Sequence, residues 1–279
     1  MGRVLALLLV LIAFPVEARD AVWETGGFAN PESVVWDGDR KVAYVSNVNG
    51  AAPDKDGNGF ISTLSIDGTV LARQWAVGLD GPQGMAVRQG RLYVADIDRL
   101  VVFDTATGKA VETTPIPGAK LLADVAIDER GNVYISDTLG NAIWRLSNGR
   151  LEKWLSNPAL AAPSGLEVDG GRLIVASWGT VQGDAKLPGG LKAVSLASRT
   201  IADLSPNLGT LSGVEPDGKG GFLVSDYVKG IVWQVSATGT ARELLRLKEG
   251  SANIGVIVKR NLLLVPMMMD GKVAAYRLP

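Results

Sequence analysis

Short apolar runs alternate with polar turns along nearly the whole chain, and the clearest example lies near its middle. In the runs 125–127 and 133–135 apolar residues alternate with small or polar ones, and the polar, glycine-containing segment 128–132 separates the two runs. Period-two alternation interrupted by such a turn predicts a β-hairpin. Further runs at 143–146 and 151–155 extend the hairpin to an antiparallel sheet of four strands.

This unit recurs at intervals of about 40 to 50 residues, which is the length of one propeller blade. Its openings are Pro31-Glu32-Ser33, Pro82-Gln83-Gly84, Ala123-Asp124-Val125, Pro163-Ser164-Gly165, Leu211-Ser212-Gly213 and Ala252-Asn253-Ile254. The pattern predicts an all-β chain, a six-bladed β-propeller of four-stranded antiparallel blades. Because the last unit has only three runs and 21–25 has no partner, we expect the N-terminal strand to complete the last blade.

In an antiparallel meander, the start of the first strand and the turn between the second and third strands lie at the same end. Two long insertions, 47–59 and 178–190, occupy that turn in the first and fourth units. The insertions and the six openings therefore share one face around the central channel. We expect a small-molecule ligand to bind at this channel mouth.

The chain contains no cysteine and no histidine, and its net charge is -1. These absences exclude disulfides, thiolate nucleophiles, imidazole metal sites and Ser-His-Asp triads. The near-neutral charge gives no electrostatic basis for binding nucleic acid or an anionic membrane. Chemistry must use carboxylates, amides, hydroxyls, Lys, Tyr or a cation held by oxygen atoms.

Residues 1–18 have the features of a signal peptide: Arg3, an apolar run over 4–14 and a small-x-small site at 16–18. The apolar run is too short for a stable membrane anchor, although a retained membrane helix is the alternative. The sequence therefore predicts a single propeller domain over 19–279 that is exported to a bacterial periplasm.

One polar side chain stands in each opening, namely Glu32, Gln83, Asp124, Ser164, Ser212 and Asn253. Oxygen donors converging on one channel mouth suit Ca²⁺ or another divalent cation. The alternative is that they cap strands and bind channel water. Glu32 and Asp124 are the candidate catalytic residues and metal ligands, and the other four are candidate ligand-binding residues.

The six-blade pattern, the segment Pro31-Glu32-Ser33-Val34-Val35-Trp36-Asp37 and the segment Pro163-Ser164-Gly165-Leu166 resemble the senescence marker protein/gluconolactonase (regucalcin-like) family. Strands such as 131–143 are also similar to NHL-type repeats. The resemblance implies a six-bladed propeller that hydrolyses sugar lactones with a divalent cation at the channel mouth.

The resemblance carries over unevenly when it is followed residue by residue. It implies that Glu32 is a metal ligand, but Ser164 stands where the family has a metal-binding asparagine. Ser212 stands where the family has a metal-binding aspartate, and Ala123-Asp124-Val125 replaces its Asn-Asp-Gly. Two neutral hydroxyls make a poorer site for a dication. Glu32 or Asp124 remains a candidate general base.

Asp54, Asp56 and Asn58 occupy the first, third and fifth positions of a segment that matches the first nine positions of an EF-hand calcium loop. The twelfth position, normally a bidentate glutamate, is Ser65. The sequence therefore predicts weak calcium binding at most, and an ordinary glycine-rich loop is the alternative.

Trp178, Tyr227 and Met268 fall on the same face and are candidates for an apolar wall beside an organic ligand, with packing between blades as the alternative. Two functions stay open. The first is a cation-assisted lactone or ester hydrolase, and the second is a non-catalytic propeller that binds a small molecule or a protein. No organic cofactor is expected, and the sequence specifies no protein partner.

Overall fold

Six sheets of four antiparallel strands form a ring in the computed structural model, which describes residues 20–182 and 185–279. The inner strands of consecutive sheets contact one another, and the inner strand of the last sheet contacts that of the first. This arrangement confirms the predicted six-bladed β-propeller. The predicted signal peptide, residues 1–18, lies outside the described residues.

The strands are numbered in chain order, and β1 (Trp23–Gly26) precedes the first blade. The first blade consists of β2 (Pro31–Asp37), β3 (Val42–Asn47), β4 (Gly59–Leu64) and β5 (Val70–Leu79). The second consists of β6 (Pro82–Arg88), β7 (Arg91–Asp96), β8 (Arg99–Asp104) and β9 (Ala110–Pro115). The third consists of β10 (Leu122–Ile127), β11 (Val133–Asp137), β12 (Ala142–Ser147) and β13 (Arg150–Ser156).

The fourth blade contains β14 (Pro163–Asp169) and β15 (Arg172–Ser177), an extra hairpin of β16 (Thr180–Gln182) and β17 (Ala185–Leu187), and then β18 (Leu191–Ser195) and β19 (Ile201–Asp203). The fifth consists of β20 (Leu211–Pro216), β21 (Phe222–Asp226), β22 (Ile231–Val235) and β23 (Ala241–Arg246). The chain ends with β24 (Gly255–Ile257), β25 (Leu262–Met267) and β26 (Lys272–Arg277). Short 3-10 helices span Pro158–Leu160, Val258–Arg260 and Met268–Asp270.

The ring is closed at the outside and at the inside of the last blade. At the outside, β1 pairs with β26, so the sixth blade has the strand order β1-β26-β25-β24, as predicted. At the inside, the Asn253 N–H donates to the Glu32 carbonyl at 2.8 Å, and the Val34 N–H donates to the Asn253 carbonyl at 3.2 Å. Pairing both ends leaves no free sheet edge at the junction of the termini.

Local chemistry fixes the hairpins, and apolar packing joins the blades. In the turn between β10 and β11, Asp128 Oδ1 accepts hydrogen bonds from the N–H groups of Arg130 at 3.0 Å and Asn132 at 2.8 Å. Gly131 takes the left-handed conformation, with φ +84°, that this turn requires. Each of the six apolar clusters in the described part of the chain takes its members from two neighbouring blades.

A β-bulge interrupts the start of the inner strand in each of the first five blades. In the third blade the freed N–H of Asp124 donates to Ser136 Oγ at 2.9 Å, and this hydroxyl donates to the Ser164 carbonyl of the fourth blade at 2.6 Å. These two hydrogen bonds hold Asp124 in the bulge and connect the third blade to the fourth near the channel mouth.

Both long insertions lie where the sequence predicted them, between the second and third strands of their blades. The insertion of the first blade reaches the second blade, because the Gly57 N–H donates to Asp80 Oδ1 at 3.0 Å. Among the described residues, no helix is both long enough and apolar enough to cross a bilayer.

Candidate functional site

Strand register sorts the predicted mouth residues into two levels. Counting from the bulges, the first level, here called the mouth ring, consists of Glu32, Gln83, Ala123, Ser164, Ser212 and Ala252. The next level, the constriction ring, consists of Ser33, Gly84, Asp124, Gly165, Gly213 and Asn253. Asp124 and Asn253 therefore lie one position below the other four opening residues. The third and sixth openings contain neither a proline nor a glycine, whereas each of the other four contains at least one of them.

The constriction ring is narrow because glycines let neighbouring inner strands approach closely. A Cβ on Gly84 would lie 2.0 Å from Asp124 Oδ1, and a Cβ on Gly213 would lie 2.4 Å from Asn253 Oδ1. Real Cβ atoms do not approach other atoms this closely, so these positions need glycine for space rather than for backbone conformation. The side chains of Asp124 and Asn253 fill the volume that the glycines leave.

Asp124 is a buried and well-bonded carboxyl group. Its Oδ2 accepts a hydrogen bond from the Leu166 N–H at 2.8 Å, and the Asn253 side chain also bonds to it. Burial raises the pKa of Asp124 to about 7, although hydrogen bonds from Leu166, Val125 and Asn253 act in the opposite direction. The carboxyl group therefore changes its charge near neutral pH.

Glu32 lies in the mouth ring, one level above Asp124, and the residue is only 9% exposed. Its Oε2 atom is buried and has no hydrogen-bond partner. Burial raises the pKa of Glu32 well above its usual range, and the negative charge of Asp124 raises it further. Burial therefore favours the protonated form of both carboxyl groups, and the charge of Asp124 adds to this effect at Glu32.

The structure brings Trp178, Tyr227 and Met268 together, next to Glu32. The rings of Trp178 and Tyr227 stack with centroids 6.1 Å apart and an interplanar angle of 27°. The Tyr227 hydroxyl contacts Met268 Sδ at 3.6 Å. Burial raises the pKa of Tyr227, and so do the charges of Glu32 and Glu249, which places the aromatic pair near the mouth carboxyl group.

Gln83, Ser164 and Ser212 are buried members of the mouth ring. Gln83 Nε2 donates to the Gly81 carbonyl at 3.2 Å, so part of its amide serves its own loop. Ser164 and Ser212 contribute neutral hydroxyls. The mouth ring thus contains one carboxyl group, one amide and two hydroxyls.

Sequence reasoning missed two acidic residues farther along the channel. Glu167 on β14 and Glu215 on β20 line a cavity of about 210 Å³ together with Asp124, Ser33 and Asn253. Burial, followed by the charges of Asp124 and Asp169, raises the pKa of Glu167 to about 8. Burial and the charges of Glu167 and Asp124 raise the pKa of Glu215 well above its usual range. Their shared position in LEVD and GVEP, three residues after Ser164 and Ser212, was the available signal.

A wider cleft of about 480 Å³ lies between the third and fourth blades, away from the channel mouth. Its charged side chains bond within the fold: Arg88 donates to the Glu129 carbonyl at 2.7 Å, and Arg145 pairs with Glu152 at 2.6 Å. The buried carboxyl groups with raised pKa values lie in the channel, so the channel mouth is the better candidate site.

The mouth does not fit the dication that the family resemblance implies. In residues 20–182 and 185–279, no three acidic side chains are arranged to hold a metal ion. Glu32 has a free oxygen, but Asp124 already bonds to Leu166 and Asn253, and Ser164 and Ser212 are uncharged. Tight binding of Ca²⁺ requires more anionic oxygen donors than this set supplies.

In the predicted calcium loop, both carboxylate oxygens of Asp56 are engaged by Asn58, through its backbone N–H at 3.2 Å and its Nδ2 at 2.5 Å. Lys55 pairs with Asp98 of the second blade. The donors Asp54, Asp56 and Asn58 thus belong to a loop that is held partly by its own hydrogen bonds. Calcium binding by this loop stays a prediction.

No protein-family model matches the chain, and no curated protein matches its sequence. Among solved structures, it is similar to a gluconolactonase from Xanthomonas campestris, at 16% identity and a TM-score of 0.71, over 93% of this chain and 89% of that one. It is also similar to a putative gluconolactonase, at 17% identity and a TM-score of 0.66, over 94% and 93% of the two chains. A streptogramin B lyase structure matches at 14% identity and a TM-score of 0.64, over 92% and 98%.

At these identities the similarity establishes the fold and leaves the activity open. The chain is a six-bladed β-propeller whose fold is similar to that of these gluconolactonase and lyase structures. This confirms the structural side of the resemblance on which the sequence prediction rested.

Proposed function

We propose that this protein hydrolyses a lactone or a similar carboxylic ester in the pocket at the channel mouth. One observation carries the proposal: Glu32 is a buried carboxyl group with an unpartnered oxygen, and it lies beside a second carboxyl group, Asp124, whose pKa is about 7. Two acids whose pKa values are raised by burial supply the groups that acid and base catalysis requires. The similar gluconolactonase structures support the same reaction class.

In the proposed reaction, ionised Asp124 removes a proton from a water molecule as its oxygen attacks the ester carbonyl. Protonated Glu32 then donates its proton to the alkoxide oxygen as the acyl carbon–oxygen bond breaks. The products are a carboxylic acid and an alcohol, which form one hydroxy acid when the substrate is a lactone. Transfer of the proton from Asp124 to Glu32 through solvent restores both groups. No step uses a metal ion, because the mouth donors fit a dication poorly.

Elimination of the kind that a lyase performs is the less suitable chemistry for this chain. A virginiamycin B lyase of Staphylococcus aureus, similar at 14% identity and a TM-score of 0.61 over 92% of this chain and 99% of that one, is described as catalytically inactive after a histidine-to-alanine substitution. This chain contains no histidine. The absence favours hydrolysis by carboxyl groups over a histidine-dependent elimination.

A non-catalytic binding propeller is the second candidate function. It is favoured by the neutral Ser164 and Ser212 at positions where the resembling family has metal ligands. The same mouth would then hold a small molecule without transforming it. We infer export for either function, and the signal-peptide pattern of residues 1–18 supports this inference.

A hydrolysis assay on a panel of lactones and aryl esters separates the two candidates. We expect wild-type turnover that persists in a chelator and falls by a factor of about 100 or more in Glu32→Gln and in Asp124→Asn. Glu24→Gln, which changes an exposed carboxylate on the outermost strand, is the matched control and should retain wild-type activity.

Absence of turnover in the wild type, or equal turnover in wild type and Glu32→Gln, would contradict the hydrolase. Calorimetric binding of a panel compound by the inactive wild type would then identify the binding propeller. Activity that requires added Ca²⁺ would show that the metal-free scheme is wrong.

A further inference from the structure

An apolar cluster, here called the thioether wall, is formed at the mouth end of the blades by Trp178, Tyr227, Met268 and Met269, of which the first three directly follow the strand residues paired with Pro163, Leu211 and Ser251. Trp178 and Tyr227 stack, and the Tyr227 hydroxyl reaches Met268 Sδ at 3.6 Å and Met269 Sδ at 3.7 Å. These four side chains come from the fourth, fifth and sixth blades, so the packing of three consecutive blades assembles the wall.

The wall is partly open to solvent. Trp178, Tyr227 and Met268 are half-buried, and Met269 is 67% exposed. Methionine side chains adapt to irregular apolar shapes, and aromatic faces supply large contact areas. An exposed group of this composition beside a buried acid provides a contact surface for an apolar ligand.

The wall offers little to a polyhydroxylated ligand. The Tyr227 hydroxyl already contacts two sulfur atoms, and the Trp178 Nε1 atom is buried and unreachable. The charged Lys186 Nζ lies over the Trp178 ring, 5.4 Å from its centroid. Hydroxyl groups of a sugar placed here would lose water without gaining partners, which is unfavourable.

We propose that the substrate is a lactone or ester carrying an alkyl or aryl substituent, which lies on the thioether wall while its carbonyl group faces Glu32. This inference rests on the proposed hydrolase site and adds the substrate class. A methylene group that is fully buried contributes about a fourfold gain in affinity, so one-sided contact with the wall should give about twofold per methylene.

The test measures binding separately from turnover. Dissociation constants of γ-lactams with propyl, pentyl and heptyl substituents are determined by calorimetry, since a lactam keeps the ring shape but replaces the ester by an amide. Turnover of the matching γ-lactones and of glucono-δ-lactone is measured in parallel. For wild type we expect about twofold tighter binding per methylene, and the same trend in kcat/KM.

Matched substitutions locate the effect on the wall. Tyr227→Phe and Met268→Leu keep the apolar surface and should retain the dependence on chain length, whereas Tyr227→Ser and Met268→Ser should abolish it. Val258→Ala, in the short 3-10 helix at the other end of the sixth blade, is the control and should behave as wild type. Thermal unfolding of every variant establishes that it is folded.

The outcomes distinguish this inference from the hydrolase itself. Chain-length dependence that is absent in wild type, or that survives in both serine variants, overturns the apolar substrate class. Glu32-dependent cleavage of glucono-δ-lactone would nevertheless uphold the hydrolase in that case. Lactam affinity that rises with chain length, without cleavage of any lactone, would support the wall as a ligand surface and overturn the hydrolase.

Discussion

The Asn253 side chain is hydrogen-bonded to the carboxylate of Asp124 across the channel, although the two residues come from opposite blades of the ring. The backbone of Asn253 also pairs with Glu32 and Val34 of the first blade. One residue therefore joins the closure of the propeller to the acid that we place at the catalytic centre. Its amide favours the charged form of Asp124 and lowers the carboxyl pKa.

Removing that amide should shift the pH dependence of activity. Asp124 must be ionised to act as a base, so the acidic limb of kcat/KM in wild type is expected near pH 7. Asn253→Ala keeps the backbone pairing and removes the hydrogen bond, so the limb should move to higher pH. A pH–rate profile measures the shift, and an unmoved limb would exclude Asp124 as the base. Glu24→Gln again serves as the control.

The buried acids should make the protein less stable at alkaline pH. The pKa of Glu167 is raised from 4.5 to about 8, so this residue stays protonated in the folded chain where it is ionised in the unfolded chain. The free energy of unfolding is therefore highest below the pKa that the residue has in the unfolded chain. It falls as the pH rises towards the pKa that the residue has in the folded chain. Each extra proton that the folded chain holds lowers the free energy of unfolding by about 1.4 kcal/mol per pH unit.

Glu215→Gln tests this dependence, because it removes one of the coupled acids. Relative to wild type, the variant should gain stability as the pH rises above about 5 in urea unfolding experiments, because the raised pKa of Glu215 destabilises the wild type over that range. Glu129→Gln, in an exposed turn, should follow the wild-type slope. Parallel curves for wild type and Glu215→Gln would mean that these carboxyl groups are not protonated in the fold.

Gly84→Ala should destabilise the constriction ring. The new Cβ would lie 2.0 Å from Asp124 Oδ1 and 2.6 Å from the Ala123 carbonyl oxygen, so the inner strands must separate. Overpacking of this kind costs about 1 to 3 kcal/mol. Gly171→Ala is the matched control, since a Cβ there meets nothing within 4 Å. Equal unfolding free energies for the two variants would contradict the close packing of the channel.

The loop containing Asp54, Asp56 and Asn58 should bind Ca²⁺ weakly at most. Its twelfth position is Ser65, which cannot supply the bidentate carboxylate of an EF-hand. Calorimetric titration should show at most a weak, millimolar-range signal that Asp54→Ala removes. Submicromolar affinity would contradict this interpretation, and the absence of heat in both proteins would show that the loop binds no calcium.

The sequence by itself determined the architecture. Turn chemistry such as Asp128 and Gly131 acts within a few residues, and the alternation of apolar positions fixes which strand faces are buried, so the blades could be read from local pattern. The three-run final unit and the unpartnered N-terminal run likewise predicted the closure by β1. Glu32, Tyr227 and Met268 were placed on the correct face because an antiparallel meander fixes which turns share an end.

The tertiary structure alone decided how the site is assembled. Asp124 and Asn253 stand one position later in their inner strands than Glu32 does in its own, so they lie one level below it, and this difference becomes visible only in the register of the strands. The meeting of Glu167 with Glu215, and that of Asp124 with Asn253, depends on inner strands from different blades that approach through glycines. Their raised pKa values arise from burial by the whole ring, and burial is a property of the closed propeller that no single blade possesses.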